Sequence, residues 1–184
     1  LRGQNNVQGA SDAGLIPMMF PDYQSVANDV VRERFQKAWG GLPLDPKPGK
    51  TVVEISHAIE AGSIRGMYIQ GENPFLSDPN VQRVRDAFCG LEVLVVQDIF
   101  LTETAEVADV VLPSTSYFEK TGTYTNTDRR VQLGQPALDP PGEARLDWRI
   151  LVDVMERMGA KQPYETVEDV FVEFAELTQS YKGL

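Results

Sequence analysis

Polar side chains follow two apolar, strand-like runs of the chain at the point where each run ends. Gly71, Glu72 and Asn73 come after one run, and Gln97 and Asp98 close the next. The Asn73 amide combines donors and an acceptor for a base or a ribose. The Asp98 carboxylate can accept from ribose hydroxyls or from the N1 and N2 hydrogens of guanine. Because open α/β sheets bind ligands at the carboxyl ends of their strands, these positions predict a ligand site.

Two charged side chains further along the chain extend this set. Lys120 precedes a glycine and could meet a phosphate or a carbonyl of a ligand, and Asp147 lies at the start of a helical pattern. A plain turn explains Gly71, and a capped turn explains Asp98, without any ligand. Solvent exposure explains Lys120, and helix capping explains Asp147, in the same way. The residues alone leave these alternatives open.

The chain has no self-contained catalytic machinery. Neither G-x-G-x-x-G nor G-x-x-x-x-G-K is present, so a dinucleotide would be held differently from the way an NAD dehydrogenase holds it. His57 has no second histidine and no cysteine with which to share a metal, and we predict no metal ligand in this chain. The single Cys89 excludes a disulfide framework and an iron–sulfur cluster held by this chain alone. We expect Cys89 to be a buried structural thiol, because it ends a helical pattern.

Charge and hydrophobicity exclude two further classes of protein. The net charge of −10 argues against a nucleic-acid partner, because phosphate binding needs clustered Lys and Arg. No apolar run approaches the roughly 18 residues of a membrane span, and no signal peptide is visible, which predicts a cytoplasmic protein. The chain begins at Leu1 without a methionine, which we interpret as a segment cut from a longer polypeptide.

Alternating helical and strand-like segments predict an α/β fold. Thr51 and Glu54 form a capping-box pattern, which predicts a helix that ends at Gly62, and Asp78-Pro79 is typical of a helix start. Strand, helix and strand at this spacing imply a mostly parallel sheet flanked by helices. The predicted helices are 25–39, 51–62, 78–90, a short one from 102, 148–158 and 167–177. The predicted strands are 67–70, 92–96 and 110–112, and residues 1–24 are predicted to be an extended N-terminal loop.

Several motifs together resemble one family. Residues Arg2 to Gly9 read R-G-Q-N-N-V-Q-G and resemble the R-G-x-N-N-V-x-G segment of formate dehydrogenase catalytic (alpha) subunits, in the molybdopterin-dependent oxidoreductase family. Further blocks match in the same order, and the match extends to about Gly159. These blocks are G-E-N-P at 71–74, V-Q-D-I-F at 96–100, T-E-T-A at 102–105, A-D-V-V-L-P at 108–113, and the segment 119–132.

The resemblance implies a fold and a set of cofactor contacts. It implies that residues 25–184 are the third domain of that fold, a three-layer Rossmann-like α/β domain that holds the guanosine end of one molybdopterin guanine dinucleotide. Asn73, Gln97, Asp98, Lys120 and Asp147 match family positions that contact this dinucleotide, and Gly71 and Glu72 flank the first of them. Gln4 matches the same family segment as Arg2, near the pterin. Arg2 itself matches an arginine near the substrate, where a guanidinium can orient a formate carboxylate.

The resemblance also implies a larger parent enzyme. That enzyme would oxidise formate to CO2 with a bis-molybdopterin guanine dinucleotide cofactor of molybdenum or tungsten, and its iron–sulfur cluster would lie outside this chain. Its partners would be the remaining domains of the polypeptide and electron-transfer subunits, and the 184-residue chain would be inactive alone. Three alternatives stay open. One is a cofactor-free structural domain like that of the large iron–sulfur subunit of respiratory complex I, and another is a small acidic nucleotide-binding or docking module unrelated to redox chemistry. The third is another molybdopterin oxidoreductase such as a nitrate reductase. Residues 162–184 lie beyond the match, and we expect a packed helix and a frayed end there.

Overall fold

The structure is a computed structural model that describes residues 4–184, so Arg2 lies outside the described residues. The helices in chain order are α1 (Val7–Asp12), α2 (Asp29–Ala38), α3 (Val52–Glu60), α4 (Pro74–Ser77), α5 (Val81–Phe88), α6 (Asp147–Arg157) and α7 (Val167–Leu177). The strands are β1 (Met19–Phe20), β2 (Gln24–Ser25), β3 (Gly66–Gln70), β4 (Val93–Asp98), β5 (Val110–Pro113), β6 (Gly122–Thr125) and β7 (Val131–Gly134). Within the predicted N-terminal loop, α1 is helical.

The chain divides into two compact units, whereas the sequence pattern predicted a loop followed by one domain. We name them the sheet unit and the terminal unit. The sheet unit consists of Thr51–Lys120 and Gln135–Gln162. The terminal unit consists of the described part of Leu1–Lys50, together with Thr121–Gly134 and Pro163–Leu184.

The sheet unit is built on three parallel strands in the order β3-β4-β5, which confirms the predicted α/β class. Leu94 and Val96 of β4, the central strand, are fully buried and lie on the same face of the sheet, whereas Val93 on the other face is exposed. Helix α5 packs Val84, Ala87 and Phe88 into the same core, at the spacing of one helical face. Because the three strands are parallel, their carboxyl ends lie at the same edge of the sheet.

Local signals define the helices that flank this sheet. Thr51 and Glu54 form the predicted capping box at the start of α3. Helix α5 begins later than predicted, because the Asn80 side chain, rather than that of Asp78, accepts the capping hydrogen bond, from the Arg83 N–H. The expectation of a buried Cys89 is wrong: its position at the end of α5 leaves it exposed.

The terminal unit contains the antiparallel hairpin β6-β7, which the sequence pattern did not reveal, and the helices α1, α2 and α7. Helix α7 has the predicted bounds and begins with a second capping box, formed by Thr166 and Asp169. The expected frayed end is wrong at Tyr181, which is only 4% exposed. No helix in the described part of the chain is long and apolar enough to cross a membrane.

Candidate functional site

The carboxyl ends of β3 and β4 lie side by side in the sheet unit. Gln70 is paired with Gln97 in register, and the next residue, Gly71, donates its backbone N–H to the Gln97 carbonyl oxygen at 2.9 Å. Gly71 has a φ of +62°, and a Cβ at this position would meet no atom within 4 Å. The backbone after β3 is therefore open to a ligand, in a conformation that favours glycine.

Asp98 ends β4 beside this opening and is half-buried. Its Oδ1 accepts a hydrogen bond from the Phe100 N–H at 3.1 Å, so Asp98 does cap the turn that follows, as one of the two explanations predicted. The other carboxylate oxygen, Oδ2, has no donor among residues 4–184. Capping the turn and binding a ligand are thus compatible, because each can use a different oxygen.

Gln97 is completely buried and links two strands to a helix. Its Oε1 accepts a hydrogen bond from the Tyr68 hydroxyl, and its Nε2 donates to Oδ1 of Asp147 at 3.0 Å. Burial raises the pKa of Tyr68, and the negative charge of Asp147 adds to the increase, so the phenol stays protonated as the donor. The Gln97 amide is therefore not accessible to solvent, and its hydrogen bond orients the Asp147 carboxylate.

Asp147 forms an ion pair with Lys120 at the same edge of the sheet, and their side chains are 20% and 28% exposed. Lys120 Nζ also donates to the Thr115 carbonyl oxygen at 2.8 Å, and Asp147 Oδ2 has a longer contact of 3.4 Å with Thr115 Oγ1. The helix-capping explanation of Asp147 is wrong, because the N-cap of α6 is Leu146, which has no side-chain cap. Within the described part of the chain, the third Lys120 N–H group has no acceptor.

Asn73 is half-buried and engaged with two residues of the loop after β4. Its Nδ2 donates to Glu103 at 2.7 Å, and its Oδ1 accepts from the Thr104 hydroxyl at 2.8 Å and from the Thr104 N–H at 3.3 Å. The hydrogen bond from Asn73 is the main reason that the pKa of Glu103 is lowered. Asn73 therefore fixes this loop, and one of its amide N–H groups has no acceptor among residues 4–184.

The hydrogen bonds described above involve neither Glu72 nor Gln4. Glu72 is exposed beside Gly71 and accepts a hydrogen bond from the Ser77 hydroxyl at 2.6 Å. Gln4 is exposed and belongs to the terminal unit, and Arg2 lies outside the described residues. We name the residues at the sheet edge the strand-end cluster: Gly71, Asn73, Gln97, Asp98, Lys120 and Asp147.

The sequence prediction missed four residues that hold the strand-end cluster in place. Thr115 follows the end of β5, so the rule used for β3 and β4 could have found it. Glu103 and Thr104 belong to the matching T-E-T-A block but received no role. Tyr68 lies inside β3, where no local signal distinguishes it from other strand residues.

A larger cavity of about 850 Å³ lies in the terminal unit, between parts of α1, β6, β7 and α7. Its walls are mostly apolar, with Leu133, Phe171 and Phe174 among the lining side chains, and no predicted site residue within residues 4–184 lines it. Ligand sites combine apolar walls with a few convergent polar groups, and the strand-end cluster has the polar groups. We therefore take the strand-end cluster as the candidate site.

Comparison with known proteins identifies relatives over the whole chain. The alpha subunit of the F420-dependent formate dehydrogenase of Methanocaldococcus jannaschii is 49% identical over 100% of this chain and 27% of its own length. Formate dehydrogenase H of Escherichia coli is 41% identical over 100% of this chain and 26% of its own length. The putative formate dehydrogenase YrhE of Bacillus subtilis is 47% identical over 97% of this chain and 18% of its own length. The chain thus spans about a quarter or less of these relatives.

A solved structure shares the fold of this chain, and a family model matches most of its sequence. Acetylene hydratase from Pelobacter acetylenicus has the same fold over 98% of this chain and 23% of its own, with a TM-score of 0.52 at 16% identity. The sequence model of the molybdopterin oxidoreductase family matches residues 4–157. This range includes the capping box of Thr51 and Glu54 and all residues of the strand-end cluster. The chain therefore belongs to the molybdopterin oxidoreductase family.

Proposed function

We propose that the strand-end cluster binds the guanosine end of a molybdopterin guanine dinucleotide. The observation that carries this proposal is the open backbone at Gly71 beside Asp98, whose Oδ2 has no donor among the described residues. Guanine presents N1–H and N2–H groups on one edge, and a carboxylate oxygen accepts from such donors. The position fits the general rule that ligands bind outside the carboxyl ends of parallel strands.

The other members of the cluster fit the same ligand. The remaining N–H of Lys120 suits a phosphate or carbonyl oxygen, and the remaining amide N–H of Asn73 suits a ribose or base oxygen. Gln97 would contribute through Asp147, because it is fully buried. Gly71 and the neighbouring Glu72, which is not part of the cluster, would lie along the path of the ligand, with Gly71 allowing a close approach.

The terminal unit would contribute to the pterin and the substrate. We assign Gln4 to the pterin and Arg2 to formate, whose carboxylate a guanidinium can orient by two parallel hydrogen bonds. When bound, a molybdenum or tungsten bis-molybdopterin guanine dinucleotide supplies the two-electron oxidation, HCOO⁻ → CO2 + H⁺ + 2 e⁻. The parent enzyme would be cytoplasmic and would pass its electrons through an iron–sulfur cluster to electron-transfer subunits. The 184-residue chain alone would be inactive.

One observation favours a second candidate, a structural domain without the cofactor. Lys120 and Asp147 are already paired with each other, and Gln97 is already satisfied by Tyr68 and Asp147. These three residues therefore have a role in stability that needs no ligand. Asp98 Oδ2 and the open backbone at Gly71 have no such internal explanation, and they are the features that a test should address.

Calorimetric titration of the 184-residue chain with GDP, and with ADP as the control nucleotide, tests the proposal. We expect GDP to bind and ADP to bind more weakly. We expect Asp98→Ala to lower the GDP affinity about 10- to 100-fold, as loss of a hydrogen bond to a charged group costs about 1.5–3 kcal/mol. Asp147→Ala should lower the affinity as well. The matched control is Asp153→Ala on the same helix, whose carboxylate pairs with Arg145 rather than with a residue of the strand-end cluster.

Each outcome of the titration separates the candidates. Equal binding of GDP and ADP would indicate a general nucleotide site instead of a guanosine site. Unchanged GDP affinity in Asp98→Ala would overturn the assignment of Asp98. If the chain binds no GDP, and the full-length protein releases neither a pterin nor a nucleotide on heating, the cofactor-free candidate is correct.

A further inference from the structure

The terminal unit contains a buried carboxylate that the proposed site does not use. Asp12, the last residue of α1, is 2% exposed. Its Oδ1 accepts from Gln8 Nε2 at 2.7 Å and from the Arg129 guanidinium at 3.1 Å, and its Oδ2 accepts from the Tyr181 hydroxyl at 2.8 Å. A buried charge is costly unless hydrogen bonds and an opposite charge compensate it. Asp12 has both, so α1 is held by its carboxyl end.

Tyr181 connects this carboxylate to the β6-β7 hairpin. Its hydroxyl oxygen lies 2.9 Å from Oγ1 of Thr125 in β6, and both residues are almost completely buried. Because the single hydroxyl hydrogen of Tyr181 points to the Asp12 carboxylate, the Thr125 hydroxyl donates to Tyr181. Residues 169 positions apart in the chain are thus joined in one directed chain of hydrogen bonds.

A second contact with β6 holds the beginning of α1. Asn6 Oδ1 accepts a hydrogen bond from the Thr125 N–H at 2.9 Å. Asn6 folds over Gly9 to do so, and a Cβ on Gly9 would lie only 2.2 Å from Asn6 Oδ1. The spacing of Asn6 and Gly9 in the opening motif therefore has a physical reason: only glycine leaves room for this hydrogen bond.

We propose that Asn6, Asp12 and Tyr181 are positioning residues for the segment that carries Arg2 and Gln4. Helix α1 begins at Val7, directly after this segment, and has six residues. An isolated helix of this length is not stable in water, so its place is set by the contacts at its two ends. This inference rests on the proposed function, in which Arg2 and Gln4 face the substrate and the pterin. It also gives Tyr181 a role in holding α1.

Hydrogen exchange of the 184-residue chain tests the structural half of this inference, whatever the enzyme does. The variant is Tyr181→Phe, and the matched control is Tyr164→Phe, which removes a hydroxyl bonded to Glu173 at 2.7 Å in the same unit. The reporting amides are Ala10 and Ala13, which donate to Asn6 and Gly9 in α1. We expect exchange about 5- to 10-fold faster in Tyr181→Phe, from the loss of one hydrogen bond, and unchanged in Tyr164→Phe.

Formate kinetics of the full-length protein test the functional half. Tyr181→Phe should raise KM for formate several-fold, with less effect on kcat and with unchanged metal and pterin content, while Tyr164→Phe keeps the wild-type KM. Thr125→Val should also raise KM, and Thr125→Ser, which keeps the hydroxyl, should restore it. A wild-type protein that does not oxidise formate would overturn the proposed function, and the exchange result would still stand.

Two results would overturn the positioning role itself. One is equal exchange at Ala10 and Ala13 in Tyr181→Phe and the wild type, because the network would then not hold α1. The other is faster exchange without any change in KM, because α1 would then move without consequence for the substrate. Equal loss of activity in Tyr181→Phe and Tyr164→Phe would indicate a general loss of stability and would contradict the inference as well.

Discussion

The Gln97 amide donates a 3.0 Å hydrogen bond to the Asp147 carboxylate, across 50 residues of sequence. Tyr68 donates to the other end of the same amide, so the orientation of the Gln97 side chain is determined by one donor and one acceptor. Gln97 in turn holds Asp147 where it pairs with Lys120. The surface of the strand-end cluster thus depends on a residue that is itself completely buried.

Replacement of Gln97 should be costly for stability. Gln97→Ala would leave the Tyr68 hydroxyl and Oδ1 of Asp147 without this partner and would open a cavity, so we expect the free energy of unfolding to fall by about 2–4 kcal/mol. The measurement is urea unfolding, with the same dependence of the unfolding free energy on urea concentration (the m value) in each variant. Gln70→Ala is the control, because Gln70 pairs with Gln97 in register but is exposed, and it should change stability by less than about 0.5 kcal/mol. Equal effects of the two substitutions would contradict this role of Gln97.

Much of the sheet edge could be predicted from the sequence because its signals are local. The runs that became β3, β4 and β5 were identified within two residues, and the position of Asp98 after an apolar run placed it at the carboxyl ends of the strands. The capping box of Thr51 and Glu54 likewise depends on residues three apart. In such patterns, the positions of neighbouring residues in the sequence are enough to determine the local structure.

The pairings within the site could not be predicted, because they join distant residues. Lys120 meets Asp147 across 27 residues, and Tyr181 meets Asp12 across 169. No local pattern states which polar side chains will share a hydrogen bond once the strands and helices have packed. Local sequence suggested that Asp147 caps a helix. In the structure, Leu146 is the N-cap, and Asp147 forms an ion pair with Lys120.

The titration of Glu103 should report the Asn73 hydrogen bond. The pKa of Glu103 is lowered mainly because Asn73 donates to its carboxylate, and Asn73→Ala should therefore raise it toward the ordinary glutamate value. The measurement is the pH dependence of the Glu103 side-chain carboxyl chemical shift by NMR. Ser77→Ala removes a hydrogen bond to Glu72 instead, and it should leave the Glu103 titration unchanged.

The same shift has a consequence for stability with a definite sign. A carboxylate whose pKa is lower in the folded state stabilises the fold above its unfolded pKa, and the contribution disappears as the pH falls through the folded pKa. The stability difference between the wild type and Asn73→Ala should therefore shrink below about pH 4.5, the ordinary value. It should not vanish, because the bonds between Asn73 and Thr104 do not titrate. A difference that grows on acidification would be contrary to this account.

Thr104 should be sensitive to the loss of its hydroxyl alone. It is completely buried, and its Oγ1 accepts from the Phe75 N–H at 3.1 Å and donates to Asn73. Thr104→Val keeps the shape but leaves the Phe75 N–H unsatisfied, so we expect a loss of about 1–3 kcal/mol in thermal unfolding. Thr127→Val, at an exposed position, should stay within about 0.5 kcal/mol of the wild type. Comparable effects at the two positions would argue against the hydroxyl as the source of the loss.

Gly71 and Gly62 form a matched pair that separates backbone strain from ligand contact. Both lie in the sheet unit with positive φ, +62° and +69°, and a Cβ at either position would meet nothing within 4 Å. An alanine is strained in this conformation, so each Gly→Ala change should lower the free energy of unfolding by about 1 kcal/mol. Only Gly71→Ala places its methyl group at the carboxyl edge beside Asp98, so it alone should weaken GDP binding, measured by calorimetry. If Gly62→Ala weakens GDP binding to the same extent, strain rather than contact explains the effect. If Gly71→Ala destabilises the chain and leaves GDP affinity unchanged, the ligand does not approach the backbone after β3.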